Sequence, residues 1–245
     1  MHTIEPVLYD GIFPEALHLL AENRFRDSHA FYEENKARLQ SLAVNPLRQV
    51  AAALCPQLAA LDGEMQLVPG RMVSRIRRDT RFTKEKQFYR SNLWINFRRA
   101  LPDTREAAPP PTPYFWFEIR PEEDDWSCGV CPLYASPAFM RFFRERILKN
   151  PQAFLDTLAV AQSKGATPEI DVYKKQRYPD AAEALRPWLN AKTYCLIYRQ
   201  PGLEILRDHA ILDALCAQFA VYAPHYKWLL AAARDFLIAT EGDTI

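Results

Sequence analysis

Apolar residues recur at intervals of three and four through the first 60 residues, which is the period of an α-helix. The pattern predicts three helices, the first begun by Pro14 and the third by Pro46, because proline suits the first turn of a helix. From about residue 71 the apolar residues alternate with polar ones, which is the period of a strand. This alternation predicts successive strands over residues 72–77, 92–98 and 114–120, and such a series indicates an antiparallel sheet.

The helical period returns after residue 135. It predicts a helix capped by Ser136, another begun by Pro151, a third capped by Asp180, and two closing helices, of which the second begins at Pro224. A strand over residues 193–199 lies among them. Helices, then strands, then helices around a late strand predict an α+β fold, with a single antiparallel sheet and helices packed on one face.

Five prolines fall between residues 102 and 113, and such a segment cannot join the interior of a sheet. Both flanks alternate like strands, so we interpret residues 101–113 as a long hairpin loop within a single domain spanning residues 1–245. Trp94 and Trp116 are expected on one face of the flanking strands. The apolar positions expected on the opposite, buried face are Leu93, Ile95, Phe97, Phe115, Phe117 and Ile119.

The composition excludes several classes of enzyme. The 245 residues include only seven glycines, widely spaced, so the chain lacks the clustered glycines of a Walker loop, a dinucleotide fingerprint or a nucleophile elbow. The N-terminal residues lack the basic and apolar stretches of a secretion signal, which favours a cytoplasmic protein. No apolar run approaches the roughly 20 residues that cross a bilayer, so we expect no membrane partner.

The five cysteines are an odd number in a chain large enough to fold by burial alone, so we expect thiols and not a disulfide framework. Cys128 and Cys131 have the C-x-x-C spacing of half a zinc site. No second pair of ligands occurs at zinc spacing in the sequence, so we expect no metal there. The sequence indicates no cofactor.

One segment is strongly basic. Residues 71–99 contain ten Lys or Arg against two acids, a local charge of +8, whereas the whole chain carries a formal net charge of +1. The remainder therefore sums to −7. This asymmetry creates a local field that can concentrate an anion.

The run RIRRDTRFTKEKQFYRSN, residues 75–92, resembles the signature R-I-x-R-D-x-R-F-[ST]-K-x-K-x-x-Y-[KR] of a mostly bacterial family catalogued as domain of unknown function 2461. FYEENKARL, YFWFEIRP and LNAKTY resemble three further elements of that family, so the resemblance covers nearly the whole chain. It implies no activity, because the family has none assigned. Two departures stand out: Phe88 replaces a proline before the motif tyrosine, and EEDDWSCGVC replaces a glycine-rich turn.

The motif residues suit the binding of an oxyanion. Arginine grips carboxylate or phosphate with a planar fork, lysine adds a point charge, and tyrosine donates a hydroxyl. We expect Asp79 to hold one guanidinium in place, and we expect the side chains to converge with Asn35 on a concave surface that binds a small phosphate- or carboxylate-bearing ligand. The predicted binding residues are Arg75, Arg78, Asp79, Arg81, Lys84, Lys86, Tyr89, Arg90 and Asn35.

Other interpretations stay open. Glu118 is the carboxylate best placed for acid or base catalysis if the basic loop folds over its strand, but the sequence does not establish an enzyme. Single-stranded nucleic acid is an alternative partner, with Trp94 and Trp116 stacking bases and Arg98 and Arg120 among the phosphate contacts, although the rest of the chain is acidic. In a third interpretation the motif is a structural salt-bridge network, paired with Asp79, Glu118 or the acidic run 122–125, in a non-catalytic interaction protein. The oligomeric state is not indicated.

Overall fold

The computed structural model describes residues 8–81, 86–100 and 110–242. Five strands form one antiparallel sheet in the order β1, β2, β3, β5, β4, which confirms the predicted α+β fold. The elements in chain order are α1 (Pro14–Arg26), α2 (His29–Leu39), α3 (Asn45–Leu61), β1 (Leu93–Phe97), β2 (Thr112–Arg120), β3 (Asp125–Leu133), α4 (Pro137–Lys149), α5 (Pro151–Ser163), β4 (Thr167–Val172), α6 (Arg186–Leu189), β5 (Ala191–Pro201) and α7 (Ala210–Gly242).

The described residues divide into two compact units. Unit 1 comprises residues 8–97, 116–128 and 199–217, and unit 2 comprises the rest. The single-domain interpretation stays a prediction. Residues 101–109 of the expected proline-rich loop lie outside the described residues.

In unit 1 the N-terminal helices form as their sequence predicts. Pro14 lies in the first turn of α1, and the Ser28 hydroxyl accepts a hydrogen bond from the Phe31 amide at the start of α2. A π-helical turn, Gln40–Val44, joins α2 to α3. The apolar stripe of α3 is buried and packs against β1, so the helices supply the apolar layer that the sheet requires.

The alternation of β1 and β2 is observed as predicted. All six apolar residues expected to be buried, from Leu93 to Ile119, have no exposed surface, while Trp94 and Trp116 between them are half-buried. The strand predicted over residues 72–77 is wrong, because that segment forms only two isolated bridges, Val73 with Ile95 and Arg77 with Tyr89. The Trp94 amide donates to the Ser74 hydroxyl, and this side-chain bond interrupts a regular ladder.

Several elements after residue 120 differ from those that the sequence pattern predicts. β4 pairs antiparallel with β5, and the helix expected from Asp180 is reduced to the single turn of α6. The two closing helices are one 33-residue helix, α7, with Pro224 inside it. Proline removes one backbone hydrogen bond from a helix, but Tyr222 and Tyr226, two residues before and after it in the sequence, are fully buried. Packing therefore outweighs the local break.

The expectation of thiols alone is wrong for Cys131 and Cys195, which form a disulfide. The two residues lie on β3 and β5, which are neighbours in the sheet, and their Cα atoms are 4.5 Å apart, as for facing residues of adjacent antiparallel strands. A separation of 64 residues hides this pairing from any analysis of spacing. Among residues 8–81, 86–100 and 110–242 we find no helix with the length and apolar character needed to cross a membrane.

Candidate functional site

The basic motif folds back on itself as a short antiparallel ribbon in unit 1. The amide of Arg78 donates to the carbonyl of Phe88 at 2.7 Å, and the amide of Arg90 donates to the carbonyl of Ile76 at 3.0 Å. The two halves of the motif are thereby held side by side. Lys84, a predicted binding residue, lies outside the described residues.

The end of α1 anchors this ribbon. Asp27 adopts a left-handed conformation there, with φ of 45°, and its carboxylate accepts hydrogen bonds from the amides of Phe88 at 2.8 Å and Tyr89 at 3.1 Å. The side chain of Gln87 donates to the carbonyl of Arg24. The position of the ribbon therefore depends on backbone contacts and on one carboxylate outside the motif.

Tyr89 is a packing residue. It is 2% exposed, and its ring stacks on that of Tyr32 with centroids 4.8 Å apart. Desolvation by burial raises the pKa of its hydroxyl. The motif tyrosine thus contributes to the core of unit 1, where stacked rings add to the free energy of burial.

Within the motif, Asp79 pairs with Arg81. Its carboxylate accepts from Nε of Arg81 at 2.9 Å and from Nη2 at 2.7 Å. Hydrogen bonds from Arg81, with a smaller electrostatic contribution from Arg75, lower the pKa of Asp79 to about 2. Asp79 therefore stays ionised at neutral pH and orients one guanidinium, which is the role that the sequence suggested for it.

The other motif cations differ in their surroundings. Arg75, Arg77 and Lys86 are exposed, and none of them forms an ion pair with a carboxylate of a described residue. Arg78 is half-buried, and the guanidinium of Arg90 lies 4.4 Å from the centre of the Trp94 ring. Three cations of the motif are thus directed to solvent.

Asn35 is not joined to these cations. It is 8% exposed, its amide nitrogen donates to the carbonyl of Phe31 at 3.0 Å, and its oxygen accepts from Arg38 at 3.3 Å. Both partners belong to its own helix, α2. Within the described residues no hydrogen bond or ion pair links Asn35 to the motif, so its predicted place in the binding surface stays a prediction.

Glu118 accepts a hydrogen bond from the side chain of Asn92 at 2.6 Å. Asn92 also lines a small cleft of about 190 Å³, and the charged side chains that line this cleft form ion pairs. Arg24 pairs with Glu122 at 2.7 Å, and Arg120 pairs with both Glu123 and Asp125. Three of the four acidic residues at 122–125 are thus used in ion pairs with arginines. Within the described residues no three His, Cys, Asp or Glu side chains are grouped to hold a metal.

Comparison with models of protein families gives a match that covers most of the chain. The model of the family described as conserved hypothetical protein (DUF2461) matches residues 15–228 of the 245. The chain belongs to this family. Comparison with curated proteins and with solved structures gives no match.

This DUF2461 chain also has a second basic surface, in unit 2, that the sequence analysis missed. The loop after β4 carries the run Lys174, Lys175 and Arg177, and Lys192 of β5 lies beside it. The sequence does contain a signal for this surface, which is three cations within four residues. The larger excess of positive charge at residues 71–99 obscured it. These side chains line a cleft of about 720 Å³.

Unit 2 also contains a buried polar network that no sequence pattern indicated. Fully buried His225 of α7 bonds to the hydroxyl of Tyr194 at 3.0 Å and to that of Thr157 at 2.9 Å. Burial lowers the pKa of His225 to about 3. This histidine is therefore neutral at physiological pH and belongs to the core of unit 2.

Proposed function

We propose that this chain binds a small phosphate- or carboxylate-bearing anion through the exposed cations of its motif, principally Arg75, Arg77 and Lys86. The observation that carries the proposal is that the groups that hold the ribbon in place differ from its exposed cationic groups. Backbone hydrogen bonds, Asp27 and the buried ring of Tyr89 hold the ribbon in place. None of these contacts uses the three exposed cationic groups.

A purely structural network would place carboxylates on those groups. Asp79 is the carboxylate within the described part of the motif, and both of its side-chain hydrogen bonds go to Arg81. Three residues of the acidic run, Glu122, Glu123 and Asp125, are engaged elsewhere, with Arg24 and Arg120. The three exposed cations belong to one short ribbon, and like charges repel, so a bound anion would lower the electrostatic energy of this segment. The arrangement therefore favours a receptor over a structural network.

The same geometry favours a small anion over a strand of nucleic acid. Base stacking needs an open aromatic face, whereas the guanidinium of Arg90 already lies over the ring of Trp94. Arg120, expected among the phosphate contacts in that alternative, is paired with Glu123 and Asp125. Nucleotides that bind there would compete with both contacts.

Calorimetric titration with inorganic phosphate, succinate and citrate at low ionic strength tests the proposal. A hydrogen bond to a charged group contributes about 1.5–3 kcal/mol, so removal of two guanidinium groups should weaken binding at least about tenfold. The test variant is Arg75→Gln/Arg77→Gln. The charge-matched control is Arg48→Gln/Lys164→Gln, in which both positions are exposed and distant in sequence from the motif.

We expect at least one of the three anions to bind wild type saturably, the motif variant to lose that binding, and the control to keep it within twofold. Melting temperatures should stay within about 2 °C of wild type, because the exposed groups do not hold the fold. Equal losses in both variants would contradict the proposal. So would the absence of saturable binding for all three anions.

A further inference from the structure

We infer that the basic cleft in unit 2 is a separate binding site for a ligand with two or more linked phosphate groups. We call it the β4 loop cleft, lined by Tyr173, Lys174, Lys175, Gln176, Arg177 and Lys192. It uses none of the motif residues, so it goes beyond the anion site proposed for unit 1. The inference rests on the cleft's size and charge, on the way its loop is fixed, and on a buried arginine beside it.

The size and charge of the cleft suit an extended anion. Its volume of about 720 Å³ falls within the roughly 300–1,000 Å³ of ligand pockets. Four of its six lining side chains are cations and none is a carboxylate. Lys174, Lys175 and Arg177 form no ion pair with any described residue. Lys192 pairs with Asp171 at 3.3 Å, but exposed pairs of this kind are weak and a ligand can displace them.

The loop is fixed before any ligand arrives. Asn190, which is 3% exposed, accepts hydrogen bonds on its side-chain oxygen from the amides of Arg177 at 2.6 Å and Tyr178 at 3.1 Å. Its backbone carbonyl accepts from the amide of Tyr173 at 3.1 Å. One buried residue thus holds both ends of the cation-bearing loop. Such preorganisation lowers the entropy lost on binding.

A buried positive charge lies next to this loop. Arg144 is 1% exposed, and its guanidinium donates to the carbonyls of Leu189 at 2.9 Å and Ala191 at 2.5 Å. It has no carboxylate partner among the described residues, although an isolated buried charge is costly. Its guanidinium carbon is 5.5 Å from the centre of the Tyr173 ring. An anion in the adjacent cleft would offset this unbalanced charge.

The contacts of Tyr173 favour a phosphate chain over a stacked planar group. The guanidinium of Arg177 lies 4.2 Å from the ring centre, and the ammonium of Lys192 lies 5.8 Å from it. Cations therefore already surround the ring, so it gathers positive charge and does not present an open stacking face. One monovalent anion would neutralise only part of this charge. Linked phosphates can contact several of the cations at once.

Calorimetry with tripolyphosphate, adenosine triphosphate, inorganic phosphate and a 12-nucleotide single-stranded DNA tests the inference. The variant is Lys174→Gln/Lys175→Gln, and the matched control in the same unit is Lys149→Gln/Lys164→Gln, also two exposed lysines. We expect wild type to bind tripolyphosphate at least tenfold more tightly than phosphate. The cleft variant should lose at least tenfold, and the control should stay within twofold.

The arms of the experiment separate the sources of the ligand. Equal affinity for tripolyphosphate and adenosine triphosphate would identify the phosphate chain alone as the recognised group. A preference for adenosine triphosphate would indicate an additional contact with the nucleoside. Both results support the site. Unchanged tripolyphosphate binding in Arg75→Gln/Arg77→Gln would show that this site is independent of the motif. Equal loss in the cleft variant and its control, or tighter binding of the DNA than of tripolyphosphate, would overturn the inference.

Discussion

The buried network around His225 makes the stability of unit 2 depend on pH. Thr157 donates its only hydroxyl hydrogen to the carbonyl of Phe154 at 2.7 Å, so it must accept from Nδ1–H of His225. The unprotonated Nε2 then accepts from the hydroxyl of Tyr194. This assignment describes a neutral imidazole with both nitrogens satisfied. A second proton on Nε2 would remove the acceptor of the Tyr194 hydroxyl hydrogen and place a charge in a site with no exposure to solvent.

The magnitude follows from the two pKa values of His225. Burial lowers the value from 6.5 to about 3 in the folded chain, so below pH 6.5 the unfolded chain takes up a proton that the folded chain does not. The free energy of unfolding should therefore fall with pH between these values. At pH 4.5 the loss is about 2.7 kcal/mol. The loss of free energy changes little if the pKa of His225 in the folded chain is one unit higher, because that pKa still lies below pH 4.5.

Urea unfolding at pH 7.5 and 4.5 measures this loss. The test variant is His225→Gln, whose amide does not titrate, and the control is His29→Gln at an exposed position. Wild type and the control should both lose about 2.7 kcal/mol more than His225→Gln does between the two pH values. An equal pH dependence in all three proteins would refute the argument. If His225→Gln does not fold, the imidazole NMR signal of wild type should show no titration down to pH 4.5.

Two further predictions concern stability. Thiol titration of the unreduced, denatured chain should find three thiols, and five thiols before reduction would contradict the disulfide. The variant Cys131→Ser/Cys195→Ser should lower the free energy of unfolding by about 4 kcal/mol, which is the loop-closure value for 64 residues. Gly11→Ala should cost about 2 kcal/mol or more, because φ is +79° and a Cβ would lie 2.5 Å from the carbonyl oxygen of Arg207. Gly63→Ala, with open space around it, is the control, and equal melting temperatures for the two variants would show that this steric argument is wrong.

Much of the fold follows from the period of apolar residues, and the exceptions have physical causes. β1 and β2 have one buried face, so their alternation is visible in the sequence. β3 is buried on both faces from Trp126 to Pro132, and a strand buried on both sides has no alternation to detect. β4 is exposed along almost its whole length. Pro224 predicts a helix boundary, but tertiary packing keeps α7 continuous through it.

The candidate site was predictable in charge but not in arrangement. Ten cations in 29 residues are plain in the sequence, as is the proximity of Asp79 to Arg81. Local patterns could not indicate that Asp27, some 60 residues away, would hold the ribbon, nor that Tyr89 would stack on Tyr32. The β4 loop cleft depends on Asn190 in the same way. Contacts between residues distant in sequence therefore decide which cations face solvent.

The most direct test of anion binding by the motif is an NMR titration of the ¹⁵N-labelled chain with inorganic phosphate. The Nε–H signals of arginine side chains report contacts at the guanidinium itself. We predict that the signals of Arg75 and Arg77 shift progressively and saturate, while that of exposed Arg48 stays in place. If the Arg75 and Arg77 signals do not move at phosphate concentrations that saturate any other signal, or move no more than that of Arg48, the motif is not the anion receptor.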